Sequence, residues 1–145
     1  MRVLLIGSGA REHAIAEAFR KNKTLELYSY MKSKNPGIFS LSKNTELGSY
    51  SDLEKIKEFA LKNEVELAFI GPEDPLNEGV VDALEKEGIN AVGPTKLMAR
   101  LETSKSFTRE LLQKYNIDGN PNFKVFNKNN SDEIKYFMNE LDAVV

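Results

Sequence analysis

Val3-Leu4-Leu5-Ile6 is an unbroken aliphatic run closed by Gly7. Four such residues ended by glycine read as a central parallel strand buried on both faces, and this strand opens the chain. Gly7 and Gly9 allow a tight turn and a close approach of backbone. Ile15 and Phe19, with Ala14 and Ala18 beside them, then form an apolar face at helical spacing. Strand, glycine turn and helix in immediate succession aim free backbone N–H groups and the positive end of a helix dipole at one point, where a phosphate can bind. The same succession opens many α/β domains as a purely structural turn, so the stretch alone leaves both readings open.

A dinucleotide fingerprint needs G-x-G-x-x-G, and here the third glycine position holds Glu12. Its side chain is expected to obstruct the close helix approach that glycine serves. Nicotinamide cofactors also want an acidic residue at the end of the second strand, to hold ribose hydroxyls. That strand is expected over Leu25 to Tyr30, and it runs out into Met31, Lys32 and Ser33. Two marks of a dinucleotide site are therefore missing. A dinucleotide- or nucleotide-sensing module stays as the alternative to a catalytic role, and a noncatalytic interaction domain as a third reading.

The remaining punctuation predicts further alternation. Asn35-Pro36-Gly37 reads as a turn in a surface loop. A short strand is expected near Thr45 to Leu47. Ser51-Asp52-Leu53-Glu54 has capping-box spacing before a helix that carries Leu53, Ile56, Phe59 and Ala60 and ends about Asn63. Leu67-Ala68-Phe69-Ile70-Gly71 is the next buried strand and runs straight into Pro72-Glu73-Asp74-Pro75-Leu76. That places rigid backbone and carboxylates at the same rim of the sheet as the Gly7 loop. There Glu73 is open to two roles, capping the next helix or contacting a sugar hydroxyl, and Asp74 reads as solvated or capping. A helix from Asn77 to Glu87 and a strand from Ile89 to Val92 complete a parallel, doubly wound α/β sheet.

Beyond residue 101 the pattern changes. Thr95 to Asn116 is expected to be mostly helical, with Thr103-Ser104-Lys105 between two halves. Phe123 to Phe126 reads as a strand, Asn127 to Asn130 as a loop, Ser131 as the cap of a helix, and Ala143-Val144-Val145 as the start of another strand. The expected division is 1–101 for the α/β domain and 102–145 for an incomplete second one.

Composition removes several functions. A net charge of −2, from 20 basic and 22 acidic residues, offers no basic field for nucleic acid or an anionic membrane. Without cysteine there is no disulfide framework and no thiolate chemistry, and a single histidine excludes a histidine metal cluster. No apolar run is long enough for a signal peptide or a membrane span, so a soluble, cytoplasmic protein is expected. His13 reads as a packed helix residue rather than an acid–base catalyst, and no catalytic residue is assigned.

Three blocks then carry a resemblance: Gly7-Ser8-Gly9-Ala10-Arg11-Glu12-His13-Ala14; Gly71-Pro72-Glu73-Asp74-Pro75-Leu76; and Gly93-Pro94-Thr95-Lys96 with Ala99, Leu101-Glu102 and Ser104-Lys105-Ser106-Phe107. In their order and spacing they resemble the phosphoribosylamine-glycine ligase (glycinamide ribonucleotide synthetase) family of the ATP-grasp superfamily. The likeness runs the length of the chain. It departs at Ala10, where the family usually has glycine, and across Ser29 to Ser49 outside Asn35-Pro36-Gly37.

The resemblance implies an enzyme of purine synthesis that activates glycine with ATP as an acyl phosphate, which 5-phosphoribosylamine attacks to give glycinamide ribonucleotide. The fold it implies is a Rossmann-like pre-ATP-grasp domain followed by the start of an ATP-grasp domain. By the same resemblance, Gly7, Gly9, Arg11 and the backbone of Glu12 would hold the substrate 5-phosphate, Glu73 the ribose hydroxyls, and Lys105 the ATP phosphates. The Mg2+ or Mn2+ ligands and most of the adenine pocket would lie outside this chain. The chain is thus expected to be an amino-terminal portion, inert without the ATP-grasp remainder of the same enzyme.

Overall fold

The computed structural model describes residues 1–126 and 130–141. The chain divides into two compact units, Met1–Thr103 and Ser104–Val145.

In the first unit the opening aliphatic run forms β1 (Arg2–Ile6), the middle strand of a five-stranded sheet ordered β3-β2-β1-β4-β5. Its partners are β2 (Glu26–Met31), β3 (Asn44–Leu47), β4 (Leu67–Ile70) and β5 (Asn90–Val92), and every pairing is parallel. Val3 through Ile6 are fully buried, as a strand covered on both faces requires. Alternation splits them between two cores. Leu4 and Ile6 join Tyr28 and Tyr30 beneath α3 (Leu53–Lys62) and α5 (Val80–Lys86), through Ile56, Phe59, Val80 and Leu84. Val3 and Leu5 face the other way, with Leu27, toward Ala16 of α1 (Ala10–Arg20) and Ile38 of α2 (Pro36–Leu41). Helices on both faces of a parallel sheet make the doubly wound α/β fold expected from the sequence.

Local chemistry shifts several boundaries. Asn35-Pro36-Gly37 opens α2 instead of forming a free turn, because the Asn35 side chain accepts the N–H groups of Gly37 and Ile38 and Pro36 occupies the first helical turn. Asp52 caps α3 by accepting the Lys55 N–H at 3.1 Å, so the cap lies one residue beyond Ser51. The single helix expected over Asn77 to Glu87 is two, α4 (Glu73–Glu78) and α5, broken where Gly79 adopts φ 93. After β5, α6 (Lys96–Thr103) buries Ala99 and leaves Leu97 and Met98 exposed.

The second unit contains α7 (Lys105–Lys114) and α8 (Ser131–Glu140). Ser104 caps α7 by accepting the Phe107 N–H at 3.4 Å. Phe123 to Phe126, expected as a strand, is not one: no strand stands beside it among the described residues, so it has no ladder to join. It packs by side chains instead, Phe126 edge-on to Phe137 of α8 with ring centroids 5.6 Å apart. Ser131 is the first residue of α8 and Asn130 its N-cap. The loop expected at Asn127 to Asn130, save Asn130 itself, and the strand expected at Ala143 to Val145 lie outside the described residues.

Candidate functional site

From β1 the sheet grows to one side through β2 and β3, and to the other through β4 and β5. The carboxyl ends of β1 and β4 therefore flank the point where strand order reverses, the crevice in which open parallel sheets bind ligands. Two of the sequence blocks meet there. Gly7 donates to the Tyr30 carbonyl and Gly71 to the Ile6 carbonyl, both at 3.0 Å, which extends the ladders to the rim. A methyl on Gly7, which has φ +144, would stand 3.0 Å from Pro72 Cδ, so the glycine turn and the Pro72-Glu73 segment lie against one another.

Glu12 does not obstruct the approach of α1. Its side chain folds beneath the loop, only 5% exposed, and Oε2 accepts the Gly9 N–H at 2.7 Å. The His13 N–H is the first amide of α1 to bond back, to the Gly9 carbonyl at 3.1 Å. The amides of Ala10, Arg11 and Glu12 are thus the first-turn donors with no intrahelical acceptor, at the positive end of the helix dipole. Arg11 is exposed and enters no ion pair among the described residues.

Asn35 forms one wall. While its side-chain oxygen caps α2, its Nδ2 donates to the carbonyls of Ser8 at 3.1 Å and Gly9 at 3.4 Å, tying loop and helix together. The His13 imidazole packs on Gly37 and lies 3.6 Å from Glu17. Buried Tyr50 donates its hydroxyl to Ser8 Oγ at 3.4 Å. On the opposite wall Glu73 is the first residue of α4; Pro72 occupies the N-cap, so the Glu73 side chain is exposed and makes no cap bond. Asp74 pairs with Lys32 at 3.9 Å, joining α4 to the end of β2. Beside this pair is a cleft of about 300 Å³ lined by Lys32, Ser49, Tyr50, Ser51, Asp74 and Asn77.

Of the residues singled out from the sequence, Gly7, Gly9, Arg11, Glu12 and Glu73 gather at this rim. Lys105 belongs to the second unit, exposed at the first residue of α7. The second unit also has the larger depression, about 700 Å³, which includes none of those six residues. Sequence reading missed Asn35, Tyr50 and the buried role of the Glu12 side chain. Asn before Pro is an N-cap followed by a first-turn proline, and that pattern was the available signal for Asn35.

Residues 1–102 match the family model described as phosphoribosylglycinamide synthetase, N domain. The chain belongs to this family. A phosphoribosylamine-glycine ligase of Methanocaldococcus jannaschii is 53% identical over 97% of the chain. The chain spans only 32% of that relative's length. A crystal structure of phosphoribosylglycinamide synthetase from Anaerococcus prevotii superposes over 98% of the chain and 35% of its own, with TM-score 0.66 at 17% identity. An ADP complex of N5-carboxyaminoimidazole ribonucleotide synthetase does so over 97% of the chain and 35% of its own, with TM-score 0.71 at 16% identity. At such identities these two structures establish the shared fold.

Proposed function

We propose that this chain supplies the sugar-phosphate side of a phosphoribosylamine-glycine ligase, with residues 1–101 as the substrate-binding domain and residues from 102 as the beginning of the ATP-grasp domain. In the overall reaction a glycine carboxylate oxygen attacks the γ-phosphorus of ATP and ADP leaves. The amine of 5-phosphoribosylamine then attacks the acyl carbon, phosphate leaves, and the nitrogen loses a proton. This chain's part is to bind and orient the amine.

One observation supports the reading above the others. At the switch point between β1 and β4, three first-turn amides without an intrahelical acceptor stand on one wall with Arg11, which enters no ion pair among the described residues, and an exposed carboxylate stands on the other. An anion suits the first wall and hydroxyl donors suit the second. A phosphorylated sugar has both ends. The amides of Ala10, Arg11 and Glu12, with the Arg11 guanidinium, would hold the 5-phosphate, and the Glu73 carboxylate would accept the ribose hydroxyls. Gly7 and Gly9 would contribute close approach, since their own N–H groups are bonded to Tyr30 and Glu12. Fixing the sugar at both ends sets where its amine meets an acyl phosphate, and positioning of this kind lowers the barrier without any proton transfer by the protein.

ATP is a further substrate implied, and Lys105, exposed at the start of α7, would face its phosphates. Among the described residues no group of three or more His, Asp or Glu side chains is placed to hold a metal ion. The Mg2+ or Mn2+ ligands are assigned to the rest of the enzyme, and no step of this chain is routed through the metal. No described helix is long and apolar enough to cross a membrane, and the proposed reaction is a cytoplasmic one.

Calorimetric titration with ribose 5-phosphate, a stable stand-in for phosphoribosylamine, tests the reading. Saturable binding is expected. Arg11→Ala should weaken it about 10- to 100-fold, the value of a charge-assisted hydrogen bond, and Glu73→Ala about 3- to 10-fold. Binding unchanged by both substitutions would refute the assignment.

A further inference from the structure

Three glycines enclose one carboxylate. A methyl placed on Gly9 would stand 2.8 Å from Glu12 Oε2, and one on Gly71 would stand 2.5 Å from Oε1 and 2.7 Å from Cδ. A methyl on Gly7 would stand 2.9 Å from the same Cδ and closer still to Cγ. Real side-chain carbons do not approach so closely. The loop, the end of β1 and the end of β4 each leave out a side chain at the place where Glu12 lies. Glu12 occupies the position at which a dinucleotide loop has its third glycine, and the close packing of helix against strand survives because these glycines make room. Its Oε2 accepts the N–H of Gly9, the second glycine, past which the backbone of a dinucleotide loop approaches a pyrophosphate.

We infer that Glu12 is a positioning residue that sets which donors the loop offers. Resting on the sugar-phosphate reading above, its buried carboxylate withdraws the Gly9 amide from the ligand and leaves the amides of Ala10, Arg11 and Glu12 as the anion-facing set. The side chain itself touches no ligand. It acts by fixing the turn between Gly7 and Ala10 and by occupying one of its donors. Asn35 completes the constraint from outside, holding the carbonyls of Ser8 and Gly9.

Amide-resolved NMR of the 145-residue chain tests this, with ribose 5-phosphate as the probe. On addition of ribose 5-phosphate, the amides of Ala10, Arg11 and Glu12 should shift while that of Gly9 stays in place. Glu12→Gln keeps an acceptor of the same shape, so Gly9 should remain bonded and affinity stay within about 3-fold. In Glu12→Ala the Gly9 amide should join the responding set and affinity fall at least 10-fold. Gly71→Ala, which displaces the carboxylate without altering the loop sequence, should behave as Glu12→Ala does. A Gly9 amide that shifts with the ligand in the unmutated chain would overturn the inference. So would an unchanged affinity in Glu12→Ala. If no loop amide responds to the ligand at all, the sugar-phosphate reading fails and the donor assignment fails with it, whereas a response that includes Gly9 overturns the role of Glu12 alone.

Discussion

Tyr30 has no exposed surface, and its hydroxyl donates to the Ser49 carbonyl at 3.3 Å. Burial, with Asp52 and Glu46 nearby, pushes its phenol up to about 12. An unfolded tyrosine ionises near pH 10, so this group favours the folded state fully below that pH and loses its contribution as pH climbs from about 10 to about 12. Tyr30→Phe should therefore flatten the decline of urea midpoints across that alkaline window, at a cost of about 0.5–1.5 kcal/mol at neutral pH for the lost hydrogen bond. An undiminished alkaline decline would assign it to other groups. Residue roles were only partly legible in the sequence. The roles proposed for Arg11 and Glu73 came from their place just beyond two buried strands, in the first turns of α1 and α4. The role of Glu12 was not legible in this way, because whether its side chain blocks a helix or fills a slot depends on Gly71, nearly sixty positions away. No local pattern contains that distance.

Elements were more legible, and for a physical reason. A strand buried on both faces must be aliphatic throughout, so Val3 to Ile6 and Leu67 to Ile70 could hardly be read otherwise. β3 is half exposed and polar, so no apolar run marks it in the sequence. The reading failed where capping chemistry decides. Asn35 and Asp52 each start a helix by accepting main-chain N–H groups, and the α4 and α5 break turns on one left-handed glycine. Asn35 has two jobs, since it caps α2 and anchors the carbonyls of Ser8 and Gly9. Asn35→Ala should cost about 1–2 kcal/mol as a lost cap. It should also weaken ribose 5-phosphate binding, because the loop loses its outer tie. A denaturation series paired with calorimetry would show both effects. A stability loss with unchanged affinity would limit Asn35 to capping.

At the scale of the whole molecule, the buried apolar residues among those described all fall between Val3 and Ala99, whereas α7 and α8 bury none. The first unit thus holds the sheet, both cores and the proposed sugar-phosphate site. A chain of residues 1–103 should unfold in a single cooperative transition, followed by circular dichroism, and should bind ribose 5-phosphate within a few-fold of the full 145 residues. Loss of cooperativity would mean that the second unit is needed to complete the core. The family assignment rests on sequence over residues 1–102, and the chain spans about a third of the relatives it matches, so ligase activity is a property to seek in the longer enzyme. Binding can be sought here. The most direct measurement is a crystal structure of this chain with ribose 5-phosphate. The account expects the phosphate on the amides of Ala10, Arg11 and Glu12 beside the Arg11 guanidinium, with the ribose hydroxyls turned to Glu73. A phosphate bound away from the β1 and β4 rim, or a sugar reversed so that its hydroxyls meet Arg11, would contradict it.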